Sequence, residues 1–227
     1  MALNIIKISD LSVSDIKFSD VRKNARGGKA VYLNHKAGGK IMLKFPALRA
    51  PFGLSTFTDE GTGKVTSTSM PLSIDNPAVA AKLDEINKIV LDFVADHCED
   101  LMGKKMSRES LADQYKSPFK PSTKEGYSPI LNLKVITDPV SGSVKTESYD
   151  STGTDVPLDT LEKGQSVTTL VEMSQIWRTP AGFGLTFRVH QVKFSAANKL
   201  PSRALVEDED EQSVHTEEDD DDDDDDE

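Results

Sequence analysis

The chain is expected to fold as a mainly β protein: a small antiparallel barrel or sandwich with one central helix and long loops. Three observations predict this class. Short runs of alternating apolar and polar residues recur along the chain, as half-buried strands require. One stretch alone, residues 77–102, carries apolar residues at helical spacing. Turn-forming Gly, Pro, Asn and Asp punctuate the rest.

The elements follow in order. Residues 3–8 and 11–18 are short β-like segments with polar interruptions. Residues 22–29 form a basic, glycine-containing loop. Residues 30–34 are a strand, 35–39 a hairpin turn and 40–45 the returning strand, which Pro46 ends by removing a ladder donor. Residues 47–58 are a loop rich in Pro, Gly and aromatics, and 62–69 a polar turn or mobile edge.

Asn76 and Pro77 open the helix as N-cap and first helical residue. Val79, Leu83, Ile86, Val90, Phe93 and Leu101 form its apolar stripe, widened by Ile89, Val94 and Cys98, and Gly103 closes it. A second, short helix is expected over 107–115. β pattern returns at 130–137 and 144–149. It ends in a long hairpin, 167–177 and 183–194, whose turn is Thr179 to Gly182. Phe183, Leu185, Phe187 and Val189 share one face of that last strand. Thr186, Arg188 and His190 share the other.

Charge divides the chain in two. Its 227 residues hold 27 basic and 38 acidic side chains, a net of −11. Sixteen of those acids fall in residues 207–227, which contain no Lys or Arg. Residues 1–206 therefore keep 27 basic against 22 acidic, a net of +5. The terminal run Asp219, Asp220, Asp221, Asp222, Asp223, Asp224, Asp225, Asp226, Glu227 repels itself and has nothing to bury, so it is expected to be a disordered interaction tail. The expected domains are 1–200, globular, and 201–227, the tail.

Enzyme signals are weak. His35, His97, His190 and His215 lie far apart, with no metal-ligand spacing between them. Cys98, the single cysteine, excludes an internal disulfide and a multi-cysteine zinc site, which suits a reducing compartment. The short run Gly61-Thr-Gly63-Lys64 is not a phosphate loop. No catalysis and no cofactor are expected. Neither a signal peptide nor an 18-residue apolar run is present, so an intracellular protein off the membrane is expected.

Nucleic-acid signals are stronger. Single strands are held by aromatic platforms for bases and cations for phosphates. Lys40, Lys44, Phe45, Arg49, Phe52 and Phe57 interleave both types, with Lys29 nearby. So does the polar, proline-rich stretch 115–127, with Tyr115, Lys116, Phe119, Lys120 and Tyr127. Trp177, Arg178 and Arg188 add a third group on the late hairpin. Plain packing is a real competitor, since Phe45 and Phe52 could plug a barrel end and Trp177 could be core or rim.

Two segments carry a resemblance. The run 39–54, with Pro46, Arg49, Pro51, Phe52 and Gly53, resembles the "PxxRxPFG" block of a family of single-stranded DNA-binding proteins from large nucleocytoplasmic DNA viruses. The run 176–194, with Ile176, Trp177, Gly182, Phe183, Gly184 and Gln191, is similar to that family's "IW…GFGxxxxxxQ" hairpin. The order of helix, hairpin and acidic tail matches too.

The resemblance implies an oligonucleotide-binding (OB) Greek-key barrel, related to the replication proteins of podophages. It implies sequence-independent single-stranded DNA binding in viral replication, recombination and repair, inside the host cell: a viral replication compartment, the nucleus or the cytoplasm. It further implies a tail that competes for the DNA groove and contacts a polymerase, primase or helicase, and it leaves room for a homo-oligomer. Podophage tails end in an aromatic residue, whereas this chain ends in Glu227, so charge competition is expected here without a terminal aromatic anchor. The competing expectation is an acidic-tailed chaperone of basic proteins such as histones.

Overall fold

The computed structural model describes residues 5–23, 28–63, 65–122, 125–138 and 141–194. The expected tail, and with it Asp219 to Glu227, lies outside the described residues, as do parts of the 22–29 loop and of the turn after Asp138. All the described residues fall in one unit, Met1–Ala197.

Two long antiparallel strands, β12 (Ser166–Thr179) and β13 (Gly182–Phe194), form the spine. Their apolar alternation puts Val171, Met173, Ile176, Phe183, Leu185, Phe187 and Val189 into the core. β13 pairs with β10 (Ile130–Val135), and β10 pairs antiparallel with β8 (Val65–Ser73). β8 meets the two-residue β6 (Leu48–Arg49), which returns to β12. The pairings thus close on themselves, and the short β6 is the narrow point of the ring. Ile41, Leu43, Phe45, Met70, Leu72, Leu131 and Leu133 fill the inside.

β4 (Lys29–His35) and β5 (Ile41–Lys44) do not form the expected hairpin with one another. Both run antiparallel to β12, β4 along Gln175 to Arg178 and β5 along Leu170 to Met173. A single bridge, Asn34 to Lys40, closes the turn between them. The turn signal was correct; the partner was not, because a 14-residue β12 offers more ladder than either short strand offers the other. β1 (Ile5–Lys7) adds a parallel edge to β5. β2 (Ile16–Phe18) and β3 (Arg22–Lys23) both pair with β4. β7 (Ser55–Thr58) forms a hairpin with β8, β9 (Phe119–Lys120) pairs with β10, and β11 (Glu147–Tyr149) pairs with β13.

The central helix α1 (Pro77–Asp96) starts as its sequence demands. Asn76 accepts from the backbone N–H of Ala78 and Val79. Val79, Leu83, Ile86, Val90 and Val94 are buried, one stripe at helical spacing. The helix breaks at His97, and a separate turn α2 (Cys98–Met102) follows, closed by Gly103 at φ +80°. Ser107 caps α3 (Arg108–Gln114) through the N–H of Ser110.

Beyond α3 the chain presses against the start of β13. The N–H of Lys116 donates to the carbonyl of Phe183 at 2.7 Å, and Tyr115 stacks on Phe183 with centroids 5.3 Å apart. The two glycines around Phe183 make this possible. A Cβ on Gly182 would lie 2.5 Å from the carbonyl oxygen of Gln114. One on Gly184 would lie 2.5 Å from that of Lys116. The Gly-Phe-Gly motif is therefore a bare-backbone docking strip around one buried ring.

Candidate nucleic-acid interface

The outer, wet face of the sheet builds the site, and cross-strand register fixes which side chains share it. One row runs Ser69, Lys134, Arg188, Glu172, Met42, Ile5 across β8, β10, β13, β12, β5 and β1. A second runs Tyr32, Gln175, Thr186 across β4, β12 and β13. A third runs Ala30, Trp177, Gly184. Gly184 leaves room for the indole of Trp177, since a Cβ there would sit 2.7 Å from the ring.

These rows line an open groove of about 990 Å³. Its walls carry Tyr32, Trp177, Lys134, Arg178 and Arg188 among Ser, Thr, Asn and Gln side chains, and among the described residues no Asp or Glu lines it. A second hollow of about 950 Å³ shares Thr66, Ser67, Thr68, Lys134 and Arg188 with it, so the groove continues past the two cations. That far half is lined also by Asp59 and Asp138. Phe57 faces Ser67 across the β7–β8 ladder and is 66% exposed, which adds an aromatic ring to the same face.

The cation Lys40 reaches this face in a fixed position. Glu172 Oε2 accepts from Lys40 Nζ at 3.1 Å and meets His190 Nε2 at 2.8 Å. A bulge makes the second contact possible: Leu170 pairs with Gln191 and Val171 with Val189, so His190 is an extra residue turned toward Glu172. Burial by itself would raise the carboxyl of Glu172. The hydrogen bonds from His190 and Lys40, with their charges, outweigh it and hold the group down at about 2.

A carboxyl lowered on folding stabilises the fold above its ordinary value near 4.5, and that contribution is lost as pH falls toward 2. Glu172→Gln should therefore show a shallower loss of urea resistance than the native chain between those pH values. Parallel profiles for the two proteins would contradict the assignment.

The structure sorts the expected site residues. Trp177 and Arg188 come together in the groove. Arg178 lines the groove's end, but it pairs with Lys29 and Phe183 on the pleat opposite Trp177, and its Nε is buried without a partner among the described residues. Lys29 is turned away and donates to the carbonyl of Asp100. Lys44 and Arg49 are exposed on β5 and β6, and Lys120 on the short β9. Lys116 is exposed beside Gly182. Phe52 and Tyr127 are 66% and 67% exposed in loops, outside the groove lining.

Two expectations are corrected. Phe45 is fully buried inside the ring, because its backbone continues the β5–β12 ladder with its side chain inward. Phe119 is 8% exposed, held against β10 by pairing with Leu131. Neither offers a face to a base. Tyr115 is likewise structural. Its hydroxyl donates to Asn87 Oδ1 at 2.7 Å, and burial pushes its phenol well up, with the Ser117 hydrogen bond opposing.

Sequence reasoning missed Tyr32 and Lys134. Both had a usable signal. Tyr32 stands between Val31 and Leu33, and Lys134 between Leu133 and Val135, each an outward residue flanked by core. Among the described residues, no group of three or more His, Cys, Asp or Glu is placed to hold a metal ion.

Comparison with known proteins gives three findings. No curated protein matches the chain. Among solved structures it resembles gp2.5, a single-stranded DNA binding protein encoded by bacteriophage T7, at 16% identity and a TM-score of 0.45, covering 78% of this chain and all of that one. It also resembles the single-stranded DNA-binding protein from bacteriophage Enc34 in complex with ssDNA, at 11% identity and a TM-score of 0.47, covering 79% of this chain and 96% of that one. From residue 62 to residue 205 the chain matches the model of a family of unknown function, DUF5871, and it belongs to that family.

Proposed function

We propose that this protein binds single-stranded DNA without sequence preference along the outer face of its sheet. One observation carries the reading: a groove with Tyr32 and Trp177 beside Lys134 and Arg188 and, among the described residues, no acid in its nearer half. Rings accept any base by stacking, and cations accept any phosphate, so such a surface tolerates all sequences. The ring of pairings from β12 through β13, β10, β8 and β6 is read as a partly open Greek-key barrel of the oligonucleotide-binding kind.

The role is that of a non-catalytic viral replication protein, of the nucleocytoplasmic-virus kind that the two motif blocks resemble, with use in recombination and repair. Residues 207–227 act on this surface as a tethered polyanion. They compete with DNA for the net +5 body and, once displaced, meet basic surfaces of replication proteins.

Fluorescence titration tests the reading. The full chain and a chain ending at residue 206 are each titrated with oligo-dT and with duplex. Both are expected to prefer the single strand, and the shortened chain to bind it more tightly, most clearly at low salt. Equal affinity of the two chains would remove the competing tail. Absence of oligo-dT binding by either, with histone binding by the full chain, would replace the reading with the chaperone.

A further inference from the structure

The same outer face carries a second cationic feature, away from the aromatic end of the groove. Lys7 of β1 and Lys44 of β5 are direct neighbours in the parallel ladder. Both are exposed, and neither has an ion-pair or hydrogen-bond partner among the described residues. Like charges side by side across strands work against the sheet. An anion between them would relieve that repulsion, beyond the protection that lysines give any sheet edge.

Register places this pair relative to the groove. Lys44 faces Leu170 of β12, and Leu170 lies on the same pleat as Glu172, next to Arg188. Lys44 is exposed on the same pleat of β5 as Met42, whose side chain is covered. A line down β12 thus passes Trp177, then Arg188 beside Glu172, then the Lys7–Lys44 pair, over about 20 Å of extended strand. Past Glu172 the line reaches Leu170, whose row continues through Gln191 to Glu147, a carboxylate that accepts from Gln191 and Tyr149.

We propose that Lys7 and Lys44 form a separate phosphate-binding station for the single strand, where it is gripped by its backbone after leaving the aromatic groove. Resting on the reading above, this gives the interface two unlike parts. Bases stack at Tyr32 and Trp177, and phosphates alone are held at Lys7 and Lys44. Glu172, between the two parts, has its charge committed to Lys40 and His190.

The test is the salt dependence of the full chain with short and long oligo-dT. Each phosphate contact on a single strand contributes about 0.7 to the slope of log affinity against log salt, so Lys7→Ala with Lys44→Ala should lower the slope by about 1.4 for a long oligonucleotide. The shortest oligonucleotide that still binds should show no change, and Lys7→Arg with Lys44→Arg should keep the native slope. An unchanged slope on the long oligonucleotide, or an equal loss at every length, overturns the proposal. Failure of the unaltered chain to bind oligo-dT at all would instead sink the underlying reading.

Discussion

Replacing Gly184 by alanine lowers the thermal midpoint by about 6–12 °C. The added methyl would lie 2.5 Å from the carbonyl oxygen of Lys116 and 2.7 Å from the Trp177 ring. Neither neighbour can yield cheaply. The Lys116 backbone is tied to Phe183 by its own N–H, and Tyr115 one residue earlier is stacked on Phe183 and bonded to Asn87. Overpacking of this kind costs about 3 kcal/mol, and a chain of this size loses about 2–4 °C per kcal/mol. Gly142→Ala is the control. Its φ of +73° carries left-handed strain of about 1–2 kcal/mol, with no atom within 4 Å of the new methyl. If calorimetry gave the two variants equal midpoints, the close approach of residues 114–116 to β13 would be wrong.

Tyr32→Ala weakens oligo-dT binding by about 5- to 150-fold and leaves the thermal midpoint nearly unchanged. Loss of one stacked base costs about 1–3 kcal/mol. Tyr32 is 40% exposed and stands outward between Val31 and Leu33, so truncation removes little packing. The salt slope should stay as it was, since no phosphate contact is lost. A variant that binds oligo-dT as the native chain does would remove Tyr32 from the interface. A variant that loses slope along with affinity would make its role electrostatic.

Much of the fold was legible because it rests on local signals. The Asn76–Pro77 start, the stripe from Val79 to Val94 and the Gly103 stop are all written within one helix length. The β12–β13 hairpin declares itself by the alternation of Phe183, Leu185, Phe187 and Val189 after a Pro-Ala-Gly turn. Strand β8 was not legible. Its first half, Val65 to Ser69, is small and polar and reads as a turn. Its pairing with β10 and the burial of Met70 and Leu72 supply the evidence for a central strand. Partner choice was hidden for the same reason, since nothing near β4 and β5 announces that a distant long strand takes both.

The site divides in the same way. Trp177 and Arg188 could be named because they sit on a clearly alternating hairpin. Phe45 and Phe119 were misjudged because composition counts an aromatic between lysines without saying which way it points; strand pairing turned both inward. The Glu172, Lys40 and His190 cluster needed a bulge and a pairing 132 residues apart, neither visible in local pattern.

Trp177 is the chain's single tryptophan and lies in the groove, so its emission reports on this site alone. Titration of the full chain with oligo-dT, followed by intrinsic fluorescence, is predicted to give saturable quenching that salt reverses and duplex does not reproduce at the same concentration. Oligo-dT binding detected by anisotropy, with the Trp177 emission unmoved, would contradict the account.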